Sequence, residues 1–243
     1  MTNRRRRPHI THIGHGDAVL QAGLDVVLSE RYGEIAVPSY DRYSVSTRSF
    51  FVNVPLISVF TLPHQEGFDW GSPPEWVWDR RIREEGMDPG TALRSGVYSG
   101  TGIDQDFSRS FYKHLDVPYE ARWDKSPLME AWKSVEQIHP GEAYKPGRKK
   151  IFLHDDPARG FVIRKLVSRA EAFIPDFSNW EQSILRYIAL LLDADEIHVI
   201  DSVFFHLANT FALTAKLFLH QYPRWPRPIG FRYPSRLNWK YVS

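Results

Sequence analysis

An acid, a hydroxyl and an imidazole follow one apolar run near the end of the chain. The run from Ile197 to Ile200 predicts a buried strand, and Asp201 and Ser202 come directly after it. A helix over residues 203–211 would place Ser202 and His206 on one face. Because open α/β proteins bind anions where a strand leads into a helix, Ser202 and nearby N–H groups are candidates to hold phosphate or diphosphate. Asp201 would accept hydrogen bonds from sugar hydroxyls.

The same residues also have a purely structural interpretation. Ser202 would then be a helix N-cap, and His206 a histidine of the core with satisfied hydrogen bonds. A Ser-His-Asp hydrolase is disfavoured, because no nucleophile-elbow glycines surround Ser202. An anion site and a capped helix therefore stay open as alternatives.

A second polar turn lies near the start of the chain and reads Gly14, His15, Gly16, Asp17. The two glycines would let the backbone pass close to a ligand, and a following helix N-terminus favours negative charge. Asp17 either caps that helix or faces a cleft as a catalytic group, and His15 is a further cleft candidate. The turn lacks the third glycine and the downstream acid of a dinucleotide-binding fingerprint.

A third polar group follows another predicted strand and begins His154, Asp155, Asp156. Two carboxylates could bind a metal ion, although neighbouring side chains on an extended chain point apart. Arg159 and Lys165 could neutralise a diphosphate. The alternative is an exposed turn with local ion pairs.

Composition limits the classes of function. The 243 residues include 31 basic and 29 acidic side chains, so the overall charge gives no case for nucleic-acid binding. The absence of cysteine excludes disulfides, thiolate catalysis and cysteine-ligated metals. Neither a signal segment nor a transmembrane run is evident, and the histidines lack zinc-site spacing. We therefore expect a cytoplasmic protein.

Apolar periodicity predicts alternating strands and helices. The predicted strands are residues 9–13, 34–37, 57–62, 151–153, 197–200 and 216–220, and the predicted helices are 18–31, 74–85, 107–115, 179–192 and 203–211. Ser178 and Glu181 suggest a capping box for the fourth helix.

This alternation predicts an α/β protein with two Rossmann-like parallel-sheet domains. Residues 1–120 would form the first domain and residues 148–243 the second. Residues 121–147, which are punctuated by proline and glycine, would connect them.

The polar turns together resemble those of a known enzyme family. Gly16-Asp17 after the first strand and Asp201-Ser202 with His206 after a late one resemble the two-domain glycosyltransferases of the GT-B fold, in their heptosyltransferase-type and fucosyltransferase-like branches. Residues 151–161, 196–202 and 233–240 also look like those of uncharacterised bacterial and phage glycosyltransferase-like proteins.

The resemblance implies a shortened GT-B-like fold that transfers a sugar without cofactor or metal. A nucleotide-sugar donor would bind the second domain, and a glycan or other hydroxyl acceptor the first. By position, Asp17 would be the general base and Ser202 a diphosphate ligand. Asp201 or His206 would contact the sugar or nucleotide. The cationic clamp would be Arg159 or Lys165, and Gly14 and Gly16 would also belong to the residues that bind the donor diphosphate.

Two departures leave other functions open. The chain is short for two full GT-B domains, and Val203 stands where the family often has glycine. A second hypothesis is therefore a nucleotide- or glycan-binding protein without catalysis on the same fold. A third is a metal-dependent phosphate-ester hydrolase that uses Asp155 and Asp156.

Overall fold

The chain is built from two α/β units, each with its own parallel sheet. The structure is a computed structural model that describes residues 6–64, 73–96, 107–176, 180–223 and 232–243. The units are Met1–Ser134 and Val135–Ser243. Each contains a four-stranded sheet whose described strands all pair in parallel. The predicted α/β class with two parallel-sheet domains is confirmed.

The N-terminal unit follows the Rossmann strand order. Its elements are β1 (Arg7–Ile10), α1 (His15–Tyr32), β2 (Ile35–Tyr40), α2 (Ser44–Phe50), β3 (Ile57–Leu62), α3 (Glu75–Glu84), β4 (Leu93–Arg94), α4 (Phe107–His114), α5 (Ala121–Asp124) and α6 (Leu128–Ala131). The strands lie in the order β3-β2-β1-β4. The order therefore reverses between β1 and β4, and ligands of open α/β sheets bind outside the carboxyl ends of strands at such a reversal.

Helix α1 covers this sheet with the apolar stripe that its sequence predicts. Val19, Leu20, Leu24 and Leu28 recur at helical spacing and are each at most 2% exposed. The helix ends at Gly33, whose φ of 88° favours glycine.

The C-terminal unit has strands in sequential order. Its elements are α7 (Pro140–Ala143), β5 (Ile151–His154), α8 (Ile188–Asp193), β6 (Glu196–Ile200), α9 (Val203–Ala208), β7 (Lys216–His220) and β8 (Trp239–Val242). The order is β5-β6-β7-β8. Phe152 of β5 packs against Phe204 of α9, with ring centroids 5.1 Å apart. Leu153 and Ile200 form a core cluster with Ile163.

Several predicted boundaries are corrected by the structure. The helix predicted over 179–192 is wrong: Ile184–Tyr187 is a 3-10 turn, and only Ile188–Asp193 is α-helical. The hydroxyl of Ser183 accepts the Leu185 N–H at 3.2 Å, so the turn begins there, and the predicted cap Ser178 lies outside the described residues.

Two further helix boundaries differ at their ends. Helix α1 begins at His15, three residues before the predicted start, so most of the predicted Gly14–Asp17 turn is its first turn. Helix α9 ends at Ala208, short of the predicted 211. The side chain of Asn209 donates to the Phe205 carbonyl at 2.9 Å, which favours termination at that point.

Some elements were not predicted at all. These are α2, β4, β8 and the short helices α5 to α7. The division between Ser134 and Val135 falls inside the predicted connection 121–147, although α5 packs on α1 of the first unit. Within the described ranges, no helix has the length and apolar character needed to cross a bilayer.

Candidate functional site

The carboxyl edge of the N-terminal sheet carries a histidine and an acid in direct contact. His12 lies just past β1, and Asp17 is the third residue of α1. The His12 Nδ1 atom is 2.5 Å from Asp17 Oδ2. The Gly14 N–H donates to the same oxygen at 3.2 Å. Asp17 therefore caps its own helix while it pairs with His12, at the point where the strand order reverses.

Gly14 makes this close approach possible. It is the N-cap residue of α1, and a Cβ atom there would lie 2.5 Å from Asp17 Oδ2. Gly16 follows in the first helical turn. The side chains of His12 and Asp17 are 21% and 14% exposed, so both reach the surface.

Gln21, one turn further along α1, holds the loop that carries this pair. Its Nε2 donates to the carbonyl of His12 at 3.1 Å and to that of Asp17 at 3.2 Å. Its Oε1 accepts the Thr11 hydroxyl. One buried amide therefore fixes both ends of the β1–α1 connection.

A buried chain of hydrogen bonds through Ser95, His9 and Asp25 holds the same region on its interior side. His9 Nδ1 is 2.6 Å from Asp25 Oδ1, and His9 Nε2 is 2.7 Å from Ser95 Oγ. The Ser95 hydroxyl donates onward to Thr11 at 3.0 Å. Ser95 and His9 are fully buried, so the chain ties β1, α1 and the residue after β4 together and does not present a nucleophile.

Burial also shifts the pKa of the acid in this chain. The pKa of Asp25 is raised because burial disfavours the charged carboxylate, and the nearby His9 opposes part of that effect. His9, Thr11, His12, Gln21 and Asp25 border a small cavity of about 20 Å³, which is room for one water molecule.

His15, predicted as a cleft residue, packs into the interior. Its ring stacks on Tyr43 at 4.6 Å and lies parallel to Phe50 at 6.4 Å. Burial, with a smaller effect of Arg42, lowers the pKa of His15 to about 3. Its Nε2 atom has no hydrogen-bond partner within the part of the chain that the structure describes. His15 is thus placed as a neutral aromatic ring of the core.

In the C-terminal unit, the polar groups that follow β5 and β6 meet at the carboxyl edge of the sheet. The Ser202 hydroxyl and His154 Nδ1 are 2.8 Å apart. Asp201 accepts the Tyr233 hydroxyl, and His206 Nε2 is 4.0 Å from its other oxygen. Sequence reasoning singled out four of these five residues and missed Tyr233, which lies 32 residues from Asp201.

The remaining residues of the predicted C-terminal site make other contacts. The buried Asp155 carboxylate accepts the Ile163 N–H at 2.9 Å and pairs with Arg169. Asp156 caps a 3-10 turn and binds Arg159 Nε at 2.5 Å. The two carboxylates thus serve separate contacts, and the described residues contain no cluster of three or more metal-binding side chains. Lys165, proposed as a clamp, donates to the Ser243 carbonyl at 2.6 Å.

Two histidines lie on the opposite face of this sheet from His154. His198 pairs in register with Leu153, one residue before His154, and side chains alternate along a strand. His198 Nδ1 and His220 Nε2 are 3.0 Å apart, and both residues are fully buried. Burial lowers the pKa of His198 and brings that of His220 to about 4, so both are neutral near pH 7.

The fold of this chain is similar to that of a solved glycosyl transferase structure. The crystal structure of a glycosyl transferase family 9 protein from Veillonella parvula aligns with a TM-score of 0.50 and 10% identity, over 100% of this chain and 88% of that one. The chain has a GT-B-like fold. The predicted shortened GT-B-like architecture is therefore confirmed as a distant match, and the likeness concerns the fold.

Two further structures align with this GT-B-like chain. They are Escherichia coli heptosyltransferase WaaC with ADP-2-deoxy-2-fluoro heptose (TM-score 0.45, 11% identity, 98% of this chain and 92% of that one) and E. coli ADP-heptose lps heptosyltransferase II (0.46, 12%, 98% and 90%). By sequence, neither a protein-family profile nor a curated protein matches the chain.

Proposed function

We propose that this protein is a glycosyltransferase that moves a sugar from a nucleotide-diphosphate sugar to an acceptor hydroxyl. One observation carries the proposal. The His12–Asp17 pair, 2.5 Å apart and partly exposed, stands at the strand reversal of a sheet whose fold resembles a family 9 glycosyl transferase. A carboxylate and an imidazole at such a place can accept the proton of a hydroxyl group.

The reaction divides between the two units. In the N-terminal unit, the acceptor hydroxyl gives up its proton at the His12–Asp17 pair while its oxygen bonds to the anomeric carbon. The bond from that carbon to the diphosphate breaks, and the electron pair leaves with the nucleotide diphosphate. In the C-terminal unit, Ser202 and His154 offer polar groups for the donor. Lys165 and Arg159 are the cations assigned to the leaving group, in exchange for their contacts with Ser243 and Asp156.

No step in this scheme requires a cofactor or a divalent metal. Basic side chains and N–H groups neutralise a leaving diphosphate in place of a cation. The third hypothesis, a metal-dependent hydrolase, loses its support because Asp155 and Asp156 bind Arg169 and Arg159.

Asp17→Asn tests the proposal directly. We expect it to lower transfer by about 100-fold or more, because an amide can neither accept a proton nor balance the positive charge of a protonated His12. Donor binding should change little. The measurements are calorimetry with a panel of ADP-, GDP-, UDP-, CDP- and dTDP-sugars, followed by release of nucleotide diphosphate in the presence of glycan acceptors.

Asp116→Asn is the matched control. Asp116 lies in the same unit, is exposed, and has a φ of 51° that asparagine adopts readily. Wild-type protein that binds no nucleotide sugar in the panel would contradict the proposed function.

A second candidate function is ligand binding without turnover. The contacts of the C-terminal unit favour it, since Asp201 already accepts Tyr233 and Arg159 already pairs with Asp156. Helix α9 is also only six residues long and begins with Val203. Binding of a nucleotide sugar or glycan by calorimetry, with no diphosphate released under any acceptor, would support this function over transfer.

A further inference from the structure

We propose that His12 is the base that takes the acceptor's proton, and that Asp17 is the positioning residue that orients its ring. This inference rests on the proposed function and names the group that acts within it. It departs from the sequence resemblance, which places the base at Asp17.

The contacts of Asp17 define the tautomer of His12. Asp17 Oδ2 accepts the Gly14 N–H at 3.2 Å and faces His12 Nδ1 at 2.5 Å. A carboxylate oxygen in that position accepts hydrogen bonds, so Nδ1 carries the hydrogen and donates it. Neutral imidazole has one protonated nitrogen, and the lone pair of His12 is therefore on Nε2, at the other side of the ring.

Exposure and basicity both favour the imidazole over the carboxylate. The His12 side chain is 21% exposed and that of Asp17 is 14% exposed. One carboxylate oxygen of Asp17 is already used by two donors. An unperturbed imidazole titrates near pH 6.5 and an aspartate near pH 3.9, so the imidazole is the better-matched base near neutral pH.

The surrounding contacts hold the ring in place. Gln21 Nε2 donates to the His12 carbonyl at 3.1 Å, and the Phe107 ring meets the imidazole edge-on at 5.7 Å. Among the residues that the structure describes, the ionisable neighbours of His12 include Asp17 on α1 and, across the small cavity, His9 and Asp25. These contacts hold the backbone and the Nδ1 atom of His12, and they thereby restrict the orientation of its ring.

The proton and electron pairs balance in this arrangement. The acceptor O–H proton moves to His12 Nε2 as the acceptor oxygen bonds to the anomeric carbon, and the diphosphate leaves with the electron pair of the broken C–O bond. Asp17 stabilises the imidazolium cation that results. The proton then passes to solvent.

His12→Gln separates this role from a direct role of Asp17. We expect kcat to fall by about 100-fold or more with little change in the KM for the donor. The matched control is His64→Gln, which changes a histidine past β3 in the same unit and should keep wild-type kcat. A His12→Gln protein that transfers sugar within about threefold of the wild-type rate overturns the inference.

The pH profile and the imidazole itself give two further measurements. With His12 as the base, the acid limb of kcat/KM follows the titration of His12, and Asp17→Asn moves that limb to lower pH because the imidazolium loses its carboxylate. Nitrogen-15 NMR of the intact protein should show the Nδ1–H tautomer of His12, and a lower pKa for His12 in Asp17→Asn. The Nε2–H tautomer in wild-type protein would contradict the assignment.

These measurements distinguish the two ways to fail. Wild-type protein that transfers no sugar overturns the proposed function and the base role with it. Transfer by the wild type, together with active His12→Gln protein and an acid limb near pH 4, overturns this inference alone and returns the base to Asp17.

Discussion

At the scale of single residues, His15 shows a histidine used as a core aromatic ring. It lies between Tyr43 and Phe50, and burial lowers its pKa to about 3. Between that value and the usual value near 6.5, only the unfolded chain binds the proton at this position. The free energy of unfolding therefore falls as the pH is lowered through this window.

His15→Phe should reduce that acid sensitivity. The phenyl ring keeps the stacking and cannot be protonated, so we expect the variant to retain about 2 kcal/mol more of its pH 8 stability at pH 5 than the wild type does. Urea denaturation at both pH values measures this difference. His198 and His220 also have lowered pKa values, so the slope should decrease without vanishing. An unchanged dependence of the free energy of unfolding on pH would show that His15 is not held neutral by burial in the folded protein.

The candidate site could be predicted from the sequence only in part. Asp17, Asp201 and Ser202 were identified because they follow strands that their own apolar neighbours predict. The partners that hold them come from farther along the chain. Ser95 is 86 residues from His9, and Tyr233 is 32 residues from Asp201. Local spacing contains no information on such contacts, because they arise only when the sheet assembles.

At the scale of elements, α1 and α5 approach each other unusually closely at Gly23. A Cβ atom at this buried position would overlap the carbonyl oxygen of Ala121. Gly23→Ala gains roughly 1 kcal/mol of helix propensity. The clash should outweigh this gain and destabilise the protein by about 1–3 kcal/mol, since backbone cannot yield as a side-chain end does.

Thermal and urea unfolding of Gly23→Ala measure the sign of the effect. Gly86→Ala is the comparison without a steric clash, because a Cβ there meets nothing within 4 Å. Its cost should come only from the φ of 71°, which alanine rarely adopts. A stabilised Gly23→Ala protein would show that the gain in helix propensity exceeds the cost of the clash, and that α1 and α5 can move apart.

The elements that periodicity predicted well are strands bounded by clear turns. Ile57–Leu62 and Lys216–His220 match the predicted bounds. Strand β8 was missed because Trp239–Val242 follows a segment rich in proline and arginine, and it becomes a strand by pairing with β7. The helix predicted over 179–192 was wrong because the apolar residues from Ile184 also fit a 3-10 turn fixed by the Ser183 hydroxyl.

At the scale of the whole molecule, each unit has its own sheet and its own buried side chains. Leu24 is fully buried in the N-terminal unit and Leu190 in the C-terminal unit. Leu24→Ala and Leu190→Ala should each cost about 2–5 kcal/mol. We expect amide hydrogen exchange to accelerate mainly in the unit that carries the substitution. Equal acceleration in both units under either change would indicate one cooperative folding unit.

The strand order of the two sheets has a consequence for the order of folding. In the C-terminal sheet each strand pairs with the next in sequence. In the N-terminal sheet, β4 must return to β1, and the His9–Ser95 contact closes a loop of 86 residues. Closing a long loop costs chain entropy before any contact compensates for it. We therefore expect the hydrogen bonds of Ser95 with His9 and Thr11 to form late, after strands β1 to β3 have already paired.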